Sequence, residues 1–330
     1  MGNIASGIYQ WDRYETSGAG PDDIERALLR DALDATALRL TKGHRLVSFN
    51  GKCLDPSMRV LTSDLRWIPV GDMRVGDRLV GFDEQPLRRE GRKDWRGGNF
   101  RQYRDAVVLS NEVEISERVV VHLVDGPSLV CTPEHLWLVS ARTGPSGKGG
   151  YDWRRADHLR GDGWRKHRGS ATRVIAPFSV WKSPLDWRTG WLAGFFDGEG
   201  TSSMGKLYPS SRQANRLRPH AMITASQRSG PVLDQATDIL RSLGFDYSVR
   251  VYDKHQPHMR LITVRGGRLE LARFLGQVRP VRLLETFKSG EALGALRSQI
   301  AGQGQFVVAA VERLKPGLVC KITTTTGTLF

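Results

Sequence analysis

Cys53 stands where a nucleophile could act on the peptide bond that precedes it. It follows Gly51-Lys52 and opens a series of short apolar runs separated by the turn pairs Gly71-Asp72 and Gly76-Asp77. A cysteine in this place can be a core residue, a metal ligand or a nucleophile. As a nucleophile, its thiolate would attack the carbonyl carbon of Lys52 and move the acyl group from nitrogen to sulfur. That reaction requires hydrogen-bond donors for the oxyanion and an acid that protonates the departing amine.

The segment CTPEHLWLV, at residues 131–139, holds side chains suited to both tasks. Thr132 and His135 follow an apolar run, and a T-x-x-H turn after a strand can point the hydroxyl and the imidazole the same way. Histidine is a natural proton donor near neutral pH, although a purely structural histidine fits the same pattern. Cys131 is better interpreted as a small buried residue than as a second nucleophile, and Cys320 as a structural residue, with a supporting role at the site as its alternative.

Acidic residues form a second candidate cluster in TGWLAGFFDGEGTSS, at residues 189–203. Asp197 and Glu199 fall at the C-terminal end of a predicted helix, where the helix dipole disfavours carboxylates. Acids placed against this preference indicate binding of a divalent cation such as Mg²⁺, which prefers oxygen ligands. A polar turn that ends a core helix explains the same residues equally well. The small residues before them would let two helices approach closely.

The elements that must position these residues change in character along the chain. Residues 1–52 contain one predicted helix, IERALLRDALDATALRL, and short β-type runs begin at Cys53. Two basic segments without periodicity, Glu84 to Asp105 and Gly144 to Ser170, are predicted to be exposed loops. The pattern is then mixed as far as Leu293, and the last segment, FVVAAVERLKPGLVCKITTTTGTLF, returns to β type.

The mixed segment predicts three helices and three strands. Helices are expected at Thr189–Phe196, Pro231–Leu243 and Arg268–Gly276, and strands at AMITAS, YSVRVYD and MRLITVR. The predicted order is therefore a β module, an α/β insert and the remainder of the β module. The corresponding boundaries are 1–52, 53–182, 183–300 and 301–330.

Charge and cysteine usage limit the classes of partner and compartment. The 330 residues, enough for two or three domains, carry a formal net charge of +14 and have an isoelectric point near 10.1. Such a balance is typical of proteins that bind nucleic acid, and residues 181–300 alone hold eighteen Lys or Arg against ten Asp or Glu. No apolar run approaches the length of a membrane span, so no membrane partner is expected. Three cysteines without a CxxC pair favour a reducing, cytoplasmic setting.

Three segments resemble the sequence blocks of inteins, the self-splicing members of the Hint fold. CLDPSMRVLTSDLRWIPVGDMRVGDRLVGFDE resembles the first block, CTPEHLWLV the TxxH block, and VERLKPGLVCKITTTTGTLF the penultimate β block. The resemblance covers residues 53–182 and 302–330 and implies a horseshoe-like all-β Hint module. It implies that Cys53 is the nucleophile of an N–S acyl shift and that Thr132 and His135 polarise the preceding peptide bond. Residues 1–52 would then belong to the N-extein.

The insert resembles a different family. LAGFFDGEG, at residues 192–200, is similar to the LAGLIDADG motif of DOD-type homing endonucleases, which are α/β enzymes that cleave double-stranded DNA. The resemblance assigns Glu199, with Asp197, to a Mg²⁺ site and Gln227 to its neighbourhood. Because one clear motif is present, a complete cleavage site would need a homodimer or a degenerate second copy. Contacts to DNA, mostly to phosphate, are expected from Arg212, Arg216, Arg218, Arg250 and Arg260.

Two departures from the family patterns shape the functional expectation. Inteins end in His-Asn followed by a Cys, Ser or Thr of the C-extein, and the sequence given stops at Phe330 before such an ending. The resemblance therefore implies thiol-induced cleavage at the Lys52–Cys53 bond, with the C-terminal extein as a missing partner for splicing. The lysine that often follows the RP segment of the endonucleases is not evident after Arg279-Pro280.

Two alternative functions remain open from the sequence. One is a homing endonuclease or DNA-binding protein whose β module is a relic. The other is a Hint autoprocessing domain that cleaves its own chain without splicing. Cleavage after addition of a thiol separates the first alternative from an active intein, and ligation by a complementing C-terminal piece separates the second.

Overall fold

Residues Lys52–Phe330 form one compact unit in this computed structural model. The structure describes residues 53–86, 101–124, 126–143, 148–161, 171–175, 178, 180–182, 186–203, 207–210, 213–219, 221–296 and 305–329. The N-terminal segment 1–52, with its predicted helix, lies outside the described residues.

The first part of the described chain is built from strands. They are β1 (Cys53–Leu54), β2 (Arg59–Leu61), β3 (Trp67–Pro69), β4 (Arg78–Phe82), β5 (Arg101–Leu123), β6 (Leu129–Cys131), β7 (Leu136–Thr143), β8 (Lys148–Arg155) and β9 (Arg173–Ile175). Single 3-10 turns follow β3 at Val70–Asp72 and β8 at Ala156–His158. The short β-type runs predicted after Cys53 are confirmed.

The next part of the chain contains both helices and strands. They are α1 (Trp187–Glu199), β10 (Gly200–Ser202), β11 (Leu207–Ser210), β12 (Gln213–Pro219), β13 (Ile223–Arg228), α2 (Pro231–Ser242), β14 (Tyr247–Asp253), β15 (Gln256–Val264), α3 (Gly267–Val278), α4 (Val281–Glu285), α5 (Ser289–Leu293) and β16 (Ala295–Leu296). The three predicted helices and three predicted strands are confirmed, each within three residues of its expected bounds. Among the described residues, no helix is both long and apolar enough to cross a membrane.

Local sequence explains where these helices begin and end. Asp186 caps α1, because its carboxylate accepts hydrogen bonds from the amide and the hydroxyl of Thr189, each at 2.8 Å. α2 begins with Pro231 in its first turn, where a fixed φ and a missing N–H cost nothing. α3 ends at Val278, because Arg279 after it adopts the left-handed conformation and Pro280 follows.

The last strand, β17 (Gln305–Thr324), returns to the strands of the first part. It pairs antiparallel with β1, β5 and β9. These strands belong to a sheet of nine described strands that also contains β4, β6, β7, β8 and β16. Because the chain leaves this sheet after β9 and rejoins it near its end, the α/β segment is inserted into a β module. The β-rich part of the predicted fold class is confirmed.

Two segments predicted to be exposed basic loops are partly strands, and the prediction was wrong there. Residues 101–105 begin β5, in which residues 101 and 102 pair with β16 and residues 103–105 pair with β4, and both Arg101 and Tyr103 are buried. Residues 148–155 form β8. In the run RQYRD, the buried Arg101 and Tyr103 flank the half-buried Gln102, as the two-residue period of a strand requires, and the high charge of the run obscured this pattern. Residues 87–100, 144–147 and 162–170 lie outside the described residues.

A continuous hydrophobic cluster joins the insert to the β module. It contains Leu61 and Tyr103 of the β module together with Phe196 of α1 and Phe274 of α3, all at most 1% exposed. The rings of Phe196 and Phe274 lie 4.8 Å apart between centroids, in an edge-to-face arrangement. Because side chains of both parts are buried together, removal of either part would expose apolar surface of the other.

The turn between β2 and β3 packs against the end of α3. Leu65 in this turn and Arg279 after α3 both have positive φ, 64° and 62°. The Arg279 guanidinium donates to the carbonyl oxygen and to the carboxylate of Asp64, each at 3.0 Å. A Cβ added to Gly276 would lie 2.6 Å from the Leu65 carbonyl oxygen and from the Trp181 ring. This contact therefore leaves no room for a side chain at residue 276.

Candidate functional site

Cys53 is held between two neighbouring strands at the first position of β1. β1 pairs with β17 on one side and with β6 on the other, and Cys53 lies directly opposite Lys321 of β17. The Cys53 residue is 2% exposed. An ion pair of 2.8 Å between Asp55 and Arg118 of β5 fixes the chain just after β1. The nucleophile expected from the sequence is therefore buried and held on both sides.

The predicted T-x-x-H turn lies beside Cys53. The Thr132 N–H donates to the carbonyl oxygen of Cys53 at 3.1 Å, and the His135 N–H donates to the carbonyl oxygen of Thr132 at 3.1 Å. Thr132 is fully buried and His135 is 7% exposed. Because β6 ends immediately before this turn, pairing of β6 with β1 is what brings the three residues together.

An apolar cavity adjoins His135. The ring centroids of His135 and Trp137 lie 4.7 Å apart, and both residues line a cavity of about 640 Å³. Most of the remaining wall is apolar, and it includes Trp153, Phe178 and Leu329. The His135 imidazole therefore has an apolar, aromatic surface on one side, while the backbone of His135 is hydrogen-bonded within the turn beside Cys53.

The charges around Cys53 favour the protonated thiol. Burial raises the pKa of the Cys53 thiol to about 11, and the carboxylates of Glu114 and Glu134 act in the same direction. The positive charge of Lys321 and the hydroxyl of Thr132 act in the opposite direction. The thiol donates a long hydrogen bond of 4.0 Å to Oε1 of Glu114. Near neutral pH only a small fraction of Cys53 is the reactive thiolate.

The other two cysteines lie in the core. Cys320 and Cys131 are opposite Leu54 on its two neighbouring strands, and neither has any exposed surface. Burial raises the pKa of Cys131 to about 12, although the Trp137 indole, a hydrogen-bond donor, partly offsets this shift. Their burial agrees with the interpretation of both as small core residues.

At the end of α1, Asp197 has a structural task. Its carboxylate oxygens accept hydrogen bonds from the backbone N–H groups of Val281 at 2.8 Å and Arg282 at 2.9 Å. The Arg282 side chain donates in return to the carbonyl oxygen of Asp197 at 2.7 Å. Asp197 thus satisfies the first turn of α4, which is a reason for an acid at this position apart from metal binding.

The residues assigned to the Mg²⁺ site do not form a complete site in one chain. Glu199 is exposed at the last position of α1. Gly200, directly after α1, pairs with Ala225 of β13. Gln227 lies two residues further along β13, on the side of this pair toward the end of α1. In the described ranges, no three Asp, Glu, His or Cys side chains gather closely enough to hold a metal ion. Each oxygen of Asp197 accepts one backbone hydrogen bond and keeps a second lone pair, so it is the number of ligands in one copy that falls short of a complete site.

One face of α1 is open. Gly190, Gly194 and Gly198 recur at every fourth residue, which places them along one side of the helix. A Cβ built on any of the three meets nothing within 4 Å. Trp187, one turn before the first glycine, is 65% exposed. A second helix could approach this face closely.

Of the five arginines predicted to contact DNA, Arg250 and Arg260 have described side chains. They lie on opposite faces of the four-stranded sheet of the insert, which has the order β10-β13-β15-β14. Ile262 of β15 belongs to the cluster under the helices, and Arg260, two residues earlier, shares its face. Arg250 of β14 pairs with Leu261 and therefore lies on the face away from the helices. Of the two, Arg250 is better placed to contact a partner that covers the sheet face away from the helices.

Arg228 was missed by the sequence analysis, although it lies with Arg250 on the sheet face away from the helices. It ends β13, where it pairs with Met259 of β15, two residues from Leu261. The alternation in ITASQR could have indicated this placement. Arg216 and Arg218 lie on β12, and Arg212 lies outside the described residues.

Two further residues near Cys53, Glu114 and Lys321, were also missed. Glu114 lies on β5 and Lys321 on β17, and both reach Cys53 only because these strands gather around β1. A local sequence pattern carries no signal for such a pairing, because the register between distant strands is set by the whole sheet.

Part of the chain is similar to two solved intein structures. The crystal structure of the MchDnaB-1 intein is 20% identical over 37% of this chain and 66% of that chain, with a TM-score of 0.22. The Msm DnaB1 intein splicing domain bound with zinc is 20% identical over 37% of this chain and 67% of that chain, also with a TM-score of 0.22. No protein-family model matches the chain, and no curated protein matches it. At this identity and TM-score, the similarity does not specify a function.

Proposed function

We propose that the β module processes its own chain by an acyl shift at the Lys52–Cys53 peptide bond. The observation that carries this proposal is the 3.1 Å hydrogen bond from the Thr132 N–H to the Cys53 carbonyl oxygen, which holds the T-x-x-H turn beside the cysteine. A buried thiol with a hydroxyl and an imidazole on the adjoining turn has the groups that the reaction requires. The resemblance of the same segments to intein blocks supports this function.

The proposed step forms a bond between the Cys53 sulfur and the carbonyl carbon of Lys52, while the thiol proton passes to solvent. The oxyanion of the tetrahedral intermediate needs a donor, and the Thr132 hydroxyl, which is buried and acts on the Cys53 thiol, is the donor that we assign. The bond from that carbon to the Cys53 nitrogen then breaks and leaves its electron pair on nitrogen. His135 supplies the proton that this amine takes up. The product is a thioester that links residues 1–52 to the Cys53 sulfur.

The test is the intact mass of the full chain before and after addition of dithiothreitol. The added thiolate attacks the thioester, so the wild-type chain should release residues 1–52 as a thioester of dithiothreitol. Cys53→Ala should stay intact. Cys131→Ala and Cys320→Ala, which remove a thiol elsewhere in the same core, should cleave like the wild type. A wild-type chain that stays intact with dithiothreitol, or a Cys53→Ala chain that cleaves, would refute the proposal.

Splicing is distinguished from simple cleavage by a second experiment. A C-terminal piece that carries His-Asn and a downstream nucleophile is added to the chain, and the products are examined for residues 1–52 joined to the new C-terminal segment. Ligation identifies a splicing intein whose partners are its two exteins. Release of residues 1–52 without ligation identifies autoprocessing.

We also propose that the insert binds double-stranded DNA as a homodimer that packs along α1. The observation that favours this second function is the open face of Gly190, Gly194 and Gly198, which leaves space for a second helix. Two copies would supply two pairs of Asp197 and Glu199 where one copy lacks a complete metal site, and Mg²⁺-dependent cleavage belongs to this proposal. Arg250 and Arg228, on the sheet face away from the helices, would contact DNA phosphates.

Gly194→Leu tests the homodimer. Mass photometry should find less dimer in this variant than in the wild type, with and without DNA. A plasmid library with randomised inserts, incubated with Mg²⁺, should be nicked by the wild type and not by this variant. Glu199→Gln should keep the dimer and lose the nicking. Nicking by a monomer, or unchanged association of Gly194→Leu, contradicts the proposal.

A further inference from the structure

Lys321 occupies the position across the sheet from the proposed nucleophile. Cys53 of β1 and Lys321 of β17 are directly opposed in an antiparallel pair, so their side chains leave the same face of the sheet. The next pairing in the same row places Lys321 opposite Glu112 of β5. Lys321 is half-buried and Glu112 is exposed. The ammonium group therefore lies in a row between the thiol and an acid at the surface.

The charged groups that face Cys53 come from three elements. Glu114 of β5 has its Oε1 atom 4.0 Å from the Cys53 sulfur, and Glu134 acts on the thiol from the turn after β6. Lys321 acts on it from β17 with the opposite sign. Cys131 also interacts with Cys53, but burial raises its pKa to about 12, so it is uncharged near neutral pH. Two negative charges thus oppose formation of a thiolate, and one positive charge favours it.

We propose that Lys321 stabilises the anionic form of Cys53 during the acyl shift and that Glu114 restrains it. This inference rests on the proposed function of the β module. The reacting species are anions, first the thiolate and then the adjacent oxyanion, and a neighbouring cation lowers the free energy of both. Lys321 is a charge-stabilising residue that makes and breaks no bond.

Glu114 could instead be a base that takes the thiol proton, but the chemistry of the two groups argues against that role. A carboxylate is a much weaker base than a thiolate, so it is a poor acceptor for the proton of a thiol. The pKa of the Cys53 thiol is about 11, so the transfer would be strongly uphill. The two roles predict opposite effects of Glu114→Gln: faster release if Glu114 restrains the thiolate, and slower release if it is the base.

The experiment measures the rate of dithiothreitol-induced release of residues 1–52 from the full chain, at pH values from 6 to 10. Loss of a nearby opposite charge shifts a pKa by about one to three units, and each unit changes the thiolate fraction tenfold while nucleophilicity changes about threefold the other way. Lys321→Gln should therefore slow release at pH 7 by about threefold to thirtyfold and move the pH profile upward, and Glu114→Gln should accelerate release by a similar factor. Lys321→Arg should retain most of the wild-type rate.

Lys315→Gln is the matched control, because Lys315 lies on the same strand and is exposed. It should release at the wild-type rate. Equal rates for Lys321→Gln and Lys315→Gln at every pH overturn the role of Lys321 and leave the acyl shift intact. Slower release from Glu114→Gln overturns the restraining role of Glu114. An intact wild-type chain in dithiothreitol overturns both this inference and the proposed function.

Discussion

The Cys53 site and the acidic site at the end of α1 differ in how far apart their residues lie in the sequence. The Cys53 site combines β1, β5, the turn after β6 and β17 within one chain, and its central residues are buried. The acids at the end of α1 lie two residues apart, Glu199 is exposed, and the partners of Asp197 come from α4. The residues that the proposed acyl shift requires come together within one chain, whereas one copy holds no complete metal site among the described residues. Release of residues 1–52 should therefore be independent of protein concentration, and DNA cleavage should depend on it.

The largest effect that separates the two sites is expected from His135→Ala. Loss of a positioned proton donor lowers a rate by about a hundredfold to ten-thousandfold, so thiol-induced release should fall by at least a hundredfold. The intact-mass assay measures it. Glu199→Gln is the control at the other site and should release residues 1–52 at the wild-type rate. Near-wild-type release from His135→Ala would mean that the amine obtains its proton from another group.

The sequence predicted the local parts of both sites better than their assembly. The helix that ends in Asp197 and Glu199 and the T-x-x-H turn after a strand are written in contiguous residues, so their elements were predicted. Glu114 and Lys321 were missed because register across the sheet has no local pattern. The backbone partners of Asp197 were also missed, since they belong to a short helix more than eighty residues later.

The second largest effect, on the free energy of unfolding, is expected when either of two glycines of the insert is replaced by alanine. Gly276→Ala forces a methyl group against the Leu65 carbonyl oxygen, and such overpacking costs about 1–3 kcal/mol. Gly194→Ala adds the same methyl group to the open face of α1, where better helix propensity stabilises by up to about 1 kcal/mol. Urea denaturation of the two variants should therefore shift in opposite directions. Equal shifts would show that the contact between α3 and the β2–β3 turn is loose.

A smaller effect is expected when the pH is raised. The pKa of the Cys53 thiol is raised in the folded chain from its ordinary value of 9.0 to about 11. Its contribution to stability is fully present below pH 9 and is lost as the pH rises from 9 to 11. Between pH 8 and pH 10 the free energy of unfolding should fall by about 1 kcal/mol less in Cys53→Ala than in the wild type. Urea titrations at both pH values measure this difference, and identical pH dependence in both chains would contradict it.

The smallest effect is expected from Arg279→Ala, which removes one polar contact between the insert and the β module. The variant loses two hydrogen bonds to Asp64, but the pair is partly exposed, so the cost should be about 0.5–1 kcal/mol. Alanine at this position keeps the positive φ, so the change reports the side chain. Arg265→Ala, an exposed arginine before α3, is the control, and a double-mutant cycle with Asp64→Ala isolates the pair.

The rate of thiol-induced release from Arg279→Ala then decides how far the two parts act together. Because the hydrophobic cluster spans both parts, the fold should survive loss of this link, and release should be unchanged if the link contributes only stability. A slower release in a chain that remains folded would mean that the β2–β3 turn transmits the position of α3 to β1. In that case DNA bound to the insert could alter the reactivity of Cys53, and the two sites would be one coupled system.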